Sequence, residues 1–321
     1  MGNGIASISV DLDSLHHYAR IHGLDQVPLP DATRALVYTR AVPRFLSLMA
    51  DLKLPSTLFA IGEDAAEPWG REVLQRAVAE GVEIGNHTRS HPYALTRLPD
   101  AELDAEVSGG ADAIEAAVGV RPVGFRAPGY TLNARLYALL ASQGYAYDSS
   151  VFPALPYYLA KAAVMAAIRM GGRRSRAVLD SPRVLLAPRL PYRPAVEQVY
   201  RRGAGTVLEL PITVAPWTRV PFIGTLVVVF PPWVVRALYA TLHRAPIFNF
   251  ELHGVDFLDE SDGIPAALAH AQRDLRIPVA VKLARLRTVF EALARDFEVM
   301  TLRDAASRLA PALPGLKSGG A

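Results

Sequence analysis

His87 and His91 lie four residues apart in Ile84-Gly85-Asn86-His87-Thr88-Arg89-Ser90-His91-Pro92, a spacing that lets two imidazoles reach one divalent cation from a turn of helix or a tight loop. A catalytic zinc takes three protein ligands and keeps one position open for water, so the pair needs a third ligand from elsewhere. Alone, H-x-x-x-H equally describes two unrelated surface histidines. Asp11 and Asp13, where the β-branched run 5–10 ends, are the candidates, because alternation puts both carboxylates on one side of an extended chain. A helix cap at Asp13 or Ser14 is the competing reading. His16, His17 and His22 read as surface residues of a polar loop, with His16 the first exception to consider.

The elements that would position these groups follow a rhythm. Runs at 5–10, 55–62, 82–85, 122–125 and 145–147 read as strands, and between them 33–52, 71–79, 100–118 and 133–143 show helical spacing. Strand, polar cluster and helix in repetition describe a parallel barrel or open sheet, whose functional side chains collect where strands end. The rhythm breaks over 151–205. There, 157–170 reads as an apolar helix carrying Lys161 and Arg169 and followed by Arg173, Arg174 and Arg176, which suits either an anionic membrane surface or packing on the domain. It returns with strands at 206–212 and 246–252, the latter ending at His253, then a helix over 278–296, a strand at 297–300 and a last helix from Thr301. We expect one domain over 1–310 with an apolar and basic insertion at about 151–205, and a flexible tail at 311–321.

Composition narrows the function classes. With 321 residues, 51% hydrophobic and 20% charged, the chain is globular and can bury a large core. A net charge of +3 without a basic stripe argues against nucleic acid. There is no cysteine, so any metal must rest on His, Asp and Glu. The longest apolar stretch, 220–235, is interrupted by Pro221, Gly224, Pro231 and Pro232 and falls short of a membrane span. The first residues have no secretory pattern, which leads to a cytoplasmic expectation, and Ala6 stands where myristoylation wants Ser or Thr.

Taken in order, Asp11-Leu12-Asp13, His87-Thr88-Arg89-Ser90-His91, Arg126-Ala127-Pro128-Gly129-Tyr130, Tyr147-Asp148-Ser149-Ser150 and Leu252-His253 resemble the five motifs of the polysaccharide deacetylase family, the group sharing the NodB homology domain and similar to carbohydrate esterase family 4. The resemblance implies a distorted (β/α)-barrel of about seven strands. It further implies that Asp13, His87 and His91 bind a divalent metal, zinc in most of the family, with cobalt, manganese or nickel as alternatives. Asp11 would be the general base held ionised by Arg126, and His253 the general acid oriented by Asp148. Pro128, Tyr130 and Trp217 would contact substrate, with a backbone amide in the Tyr130 region stabilising the oxyanion. Asp-x-Asp replaces the commoner adjacent pair, which leaves open which aspartate binds metal.

The expected substrate is an N-acylated amino sugar, losing acetyl or formyl. The stretch 209–217 is similar to a deformylase of polyprenyl-phosphate-linked aminoarabinose, which implies a lipid-linked sugar met at the inner face of a membrane. Three alternatives stand beside this: a deacetylase of free polysaccharide, a hydrolase of small cyclic amides, and a non-catalytic binder of glycan or lipid headgroup. Arg126 as an ordinary ion pair, Asp148 as a helix cap, Trp217 and Trp233 as packing residues, and Asp256 and Asp259 as loop residues are the corresponding structural readings.

Overall fold

The computed structural model describes residues 4–24, 29–170, 172 and 175–313. Eight strands form one parallel sheet: β1 (Gly4–Asp11), β2 (Thr57–Ala60), β3 (Glu83–Asn86), β4 (Gly124–Phe125), β5 (Tyr147–Asp148), β8 (Leu208–Glu209), β9 (Ile247–His253) and β10 (Phe297–Val299). β1 pairs with β9 along its length, from Ile5 opposite Ile247 to Asp11 opposite His253. Its other edge meets β10 near the start and β2 near the end. From β2 the sheet runs through β3, β4 and β5 to β8. Asn249 closes the circle between the segment after β8 and β9: its side-chain amide donates to Leu210 O at 2.8 Å, and its carbonyl accepts from Thr213 N at 3.1 Å. The outcome is the distorted (β/α)-barrel expected from the motifs.

Alternation along the strands divides their side chains. On β1, Ala6, Ile8 and Val10 pack in a cluster with Phe45, Leu46 and Met49 of helix Val42–Leu52, while Ser9 and Asp11 reach Arg126. On β9, Phe248, Phe250 and Leu252 join the same apolar cluster, leaving Asn249, Glu251 and His253 for the other side. The polar faces of the two central strands therefore share one interior, and it is lined with groups that can do chemistry.

The helices at 100–118, 133–143 and 278–296 form as Asp100–Val118, Ala134–Ser142 and Val279–Asp296. Asn133 caps the second, accepting from Leu136 N. Three expectations change. Residues 15–21 are a helix, not a polar loop, because Leu15, Tyr18 and Ala19 recur at helical spacing and bury themselves. The insertion holds helix Leu155–Met170 and an antiparallel hairpin of β6 (Pro194–Ala195) with β7 (Gln198–Arg202). The proline-broken segment contains helices Gly224–Val229 and Pro232–Tyr239. No helix among the described residues is long and apolar enough to cross a membrane. Of the expected tail, 314–321 lie outside the described residues, as do Gly171, Arg173 and Arg174.

Candidate metal and acid–base site

The stretch after β3 is a loop held from two sides. Gly62 N donates to Thr88 O and Glu63 N to Arg89 O, while Ser90 donates through both its amide and its hydroxyl to Glu106. Thr88 and His91 take positive φ, 67° and 58°, and Thr88 Oγ1 accepts from His91 N. This turn brings both imidazoles to one side. Gly110, in helix Asp100–Val118, allows the approach, since a Cβ there would lie 2.7 Å from the Thr88 carbonyl carbon.

Asp13 meets the pair from the end of β1. Its Oδ1 lies 3.2 Å from His87 Nε2 and 3.1 Å from His91 Nε2. These three buried residues offer ligand atoms within 4.8 Å of one another. His87 Nδ1 donates to Arg126 O at 2.7 Å, so the lone pair of Nε2 points at the shared space. Although close, Asp13 Oδ1 and His91 Nε2 make no hydrogen bond of good geometry with each other or with any other described residue. Two nitrogens, one carboxylate oxygen and orphaned buried atoms fit a divalent cation. Burial alone would raise Asp13, but His91 and His87 hold it well below the usual carboxylate range. Burial pushes His91 down, which favours the neutral form that a metal requires. For His87 the burial is outweighed by Asp11 and Asp13, which push it up.

Asp11, two residues back at the end of β1, has a different partner. Arg126 Nη1 donates to Asp11 Oδ1 at 2.7 Å, and the same guanidinium donates to Ser9 Oγ, Ser149 O and Ser149 Oγ while resting 4.2 Å above the Phe59 ring. Asp11, Glu251 and His253 form a second group with metal-ligand spacing. Because the Arg126 guanidinium already neutralises Asp11, an added cation there would meet a like charge. Arg126 is fully buried. Arg126→Met is expected to cost about 3–5 kcal/mol, since it leaves the Asp11 charge buried without its partner. Urea denaturation measures this, and a midpoint equal to that of wild type would rule out the pairing as described.

His253 closes the site. Its Nδ1 lies 2.9 Å from Glu251 Oε1 and its Nε2 3.1 Å from Tyr130 Oη, which itself donates to Glu251 Oε1 at 2.9 Å. Burial works against the imidazolium, yet Glu251, followed by Asp13 and Asp11, pushes His253 well above its ordinary range, while the histidine holds Glu251 down. A cationic His253 donates at both nitrogens, and every contact in the triad is then satisfied.

Glu251, not Asp148, is thus the carboxylate on His253. Asp148 sits on β5, where Ser150 Oγ donates to it at 2.5 Å and Glu209 is its buried neighbour. Burial of the two carboxyls together pushes Asp148 up to about 6 and Glu209 well above its ordinary range. The consequence of the pair is positional: Ser150 Oγ accepts from Ala127 N and Glu209 accepts from Val151 N, fixing the strands that carry Arg126.

The remaining expectations divide. A cavity of about 310 Å³ is lined by Asp11, Asp13, His87, Tyr130 and His253 together with Gly129, Tyr157 and Lys161. Tyr130 faces His253 through its hydroxyl, and its own amide donates to Ala127 O at 3.0 Å, so an oxyanion donor would have to be another amide of that region. Pro128 is buried in the turn and does not line this cavity. Trp217 is 94% exposed and lies outside its lining, so its placement against substrate is not supported by the fold. His17, read as a surface residue, is buried with its ring 4.4 Å from that of His91. Asp256 and Asp259 are caps, accepting from His253 N and from Ser261 N and Val279 N.

Comparison with known proteins bears on the family and the fold. Residues 30–147, which include His87, His91 and Arg126, match the family model described as polysaccharide deacetylase. Over 75 residues the chain is 39% identical to a chitooligosaccharide deacetylase of Bradyrhizobium sp., covering 23% of this chain and 33% of that protein. Over 104 residues it is 32% identical to a peptidoglycan-N-acetylglucosamine deacetylase of Bacillus cereus, covering 32% of this chain and 46% of that one. The chain thus spans less than half the length of these relatives. A Mycobacterium smegmatis structure provisionally described as a polysaccharide deacetylase superposes with a TM-score of 0.64 at 19% identity, covering 100% of this chain and 96% of that one, which establishes the likeness of fold.

Proposed function

We propose that this chain, whose residues 30–147 match the polysaccharide deacetylase model, hydrolyses the N-acyl group of an acylated amino sugar, with a divalent metal held by Asp13, His87 and His91. The observation that carries this reading is the convergence on one cavity of that ligand trio, the Asp11–Arg126 pair and the His253–Glu251 pair. A divalent ion, zinc by the N,N,O donor set, would supply a Lewis acid for the acyl oxygen and lower the pKa of a water. Asp11, ion-paired with Arg126, takes a proton from the attacking water. His253, kept protonated by Glu251, gives one to the leaving nitrogen, so the amide leaves as free amine and carboxylic acid. Tyr130 holds the orientation of His253.

The relatives named for chitooligosaccharide and peptidoglycan support an N-acetylglucosamine unit as the reacting sugar. A lipid-linked form of that sugar is favoured by the wall formed by Ala160, Val164 and Met165 of helix Leu155–Met170, whose Leu155, Leu159 and Met170 are exposed large apolar residues suited to lying on a membrane surface. Acetate release by the zinc-loaded protein from N-acetylated chitooligosaccharide and from a prenyl-linked N-acetylated amino sugar tests both levels. Release from neither, with metal bound, would contradict the hydrolase; equal release from both would contradict the lipid preference.

A further inference from the structure

Lys161 is a charged group in the cavity that the hydrolytic chemistry does not use. It projects from helix Leu155–Met170 into the wall shared with Gly129, Tyr130 and Tyr157. Its ammonium donates to Gly129 O at 3.2 Å and lies 5.9 Å from the centre of the Tyr157 ring. No carboxylate of the described residues lies within 4.0 Å of it, so a part-buried cation with three donors has one protein acceptor.

Its position says what it could read. Gly129 adjoins Tyr130, whose hydroxyl contacts His253, and Lys161 lines the same cavity as that histidine, so it can meet a sugar held there. The other charged or titratable groups around it are Tyr130, Tyr157, Tyr158 and Asp180. Asp180 is engaged by Tyr200 Oη at 2.6 Å. Burial lowers Lys161 to about 8, so it is charged near neutrality and desolvated enough for an anion to be attracted strongly.

We infer that Lys161 forms a subsite for a negatively charged substituent on the amino sugar, a phosphate ester or a carboxylate. The inference rests on the sugar-hydrolase reading, but binding can test it apart from turnover. By calorimetry on the metal-loaded protein, glucosamine 1-phosphate or muramic acid is expected to bind about 10- to 100-fold more tightly than glucosamine, the effect of one charge-assisted hydrogen bond. Lys161→Met should remove that preference and leave glucosamine unchanged; Lys161→Arg should restore most of it. Whichever anion shows the preference identifies the substituent. Absence of any preference in wild type, or an equal loss for all three ligands in Lys161→Met, would overturn the inference, the latter marking Lys161 as only a clamp on the Gly129 carbonyl. If the preference is present but no acylated sugar is hydrolysed, the subsite stands and the hydrolase reading falls.

Discussion

Asp11→Asn is expected to keep its metal ion and lose about 10²–10⁴-fold in kcat, the range for removal of a general base. The separation of roles follows from geometry. Asp13, just past the end of β1, shares space with His87 and His91, while Asp11, the last residue of the strand, is paired with Arg126. Asparagine has the size of aspartate and can still accept from Arg126 Nη1, but it cannot take a proton from water. Because the change leaves a buried guanidinium without its counter-charge, near-UV circular dichroism should accompany the kinetics to show that the fold persists. Loss of the metal together with activity would mean that Asp11 is itself a ligand. Full activity would remove it from the mechanism.

Glu251→Gln should move the alkaline limb of the pH–rate profile to lower pH. The general acid must carry its proton, and His253 is pushed well above its ordinary range because Glu251 outweighs the burial that opposes the charge. Removing an opposite charge in contact typically lowers such a pKa by about one to three units, so the limb should move down by about that much and kcat on its alkaline side should fall about 10- to 1000-fold. The loss should shrink as the pH is lowered and His253 regains its proton. Asp148→Asn serves as the contrast, since Asp148 contacts Ser150 and Glu209 and should leave this limb in place. A limb that moves with Asp148 and stays with Glu251 would reverse the assignment.

Much of this site could be read from the chain because its groups follow strands. Asp11, Asp13, His87, His91, Arg126 and His253 stand at or just beyond the ends of β1, β3, β4 and β9, and a parallel barrel gathers such ends at one mouth. Glu251 was equally accessible, for Phe248-Asn249-Phe250-Glu251-Leu252-His253 alternates apolar and polar, which puts Glu251 on the face that carries His253. Asp148 misled because a strand end gives a residue's height in the barrel but not its neighbour around the ring. That neighbour is Glu209, paired with Asp148 in register across β5 and β8. The burial of His17 against His91 was hidden for a related reason: the spacing of Leu15, Tyr18 and Ala19 is visible in the chain, but the element they pack against is not. Lys161 lay within the insertion, where periodicity suggested a helix and nothing in the chain tied that helix to the cavity wall.

The most direct measurement is zinc content after equilibrium dialysis, by plasma mass spectrometry, on the wild-type chain beside Asp13→Ala. The wild type should hold about one tightly bound ion per chain and the variant almost none, as expected when one of three ligands is removed. Equal zinc in the two proteins, or none in the wild type, would contradict a metal centre at Asp13, His87 and His91.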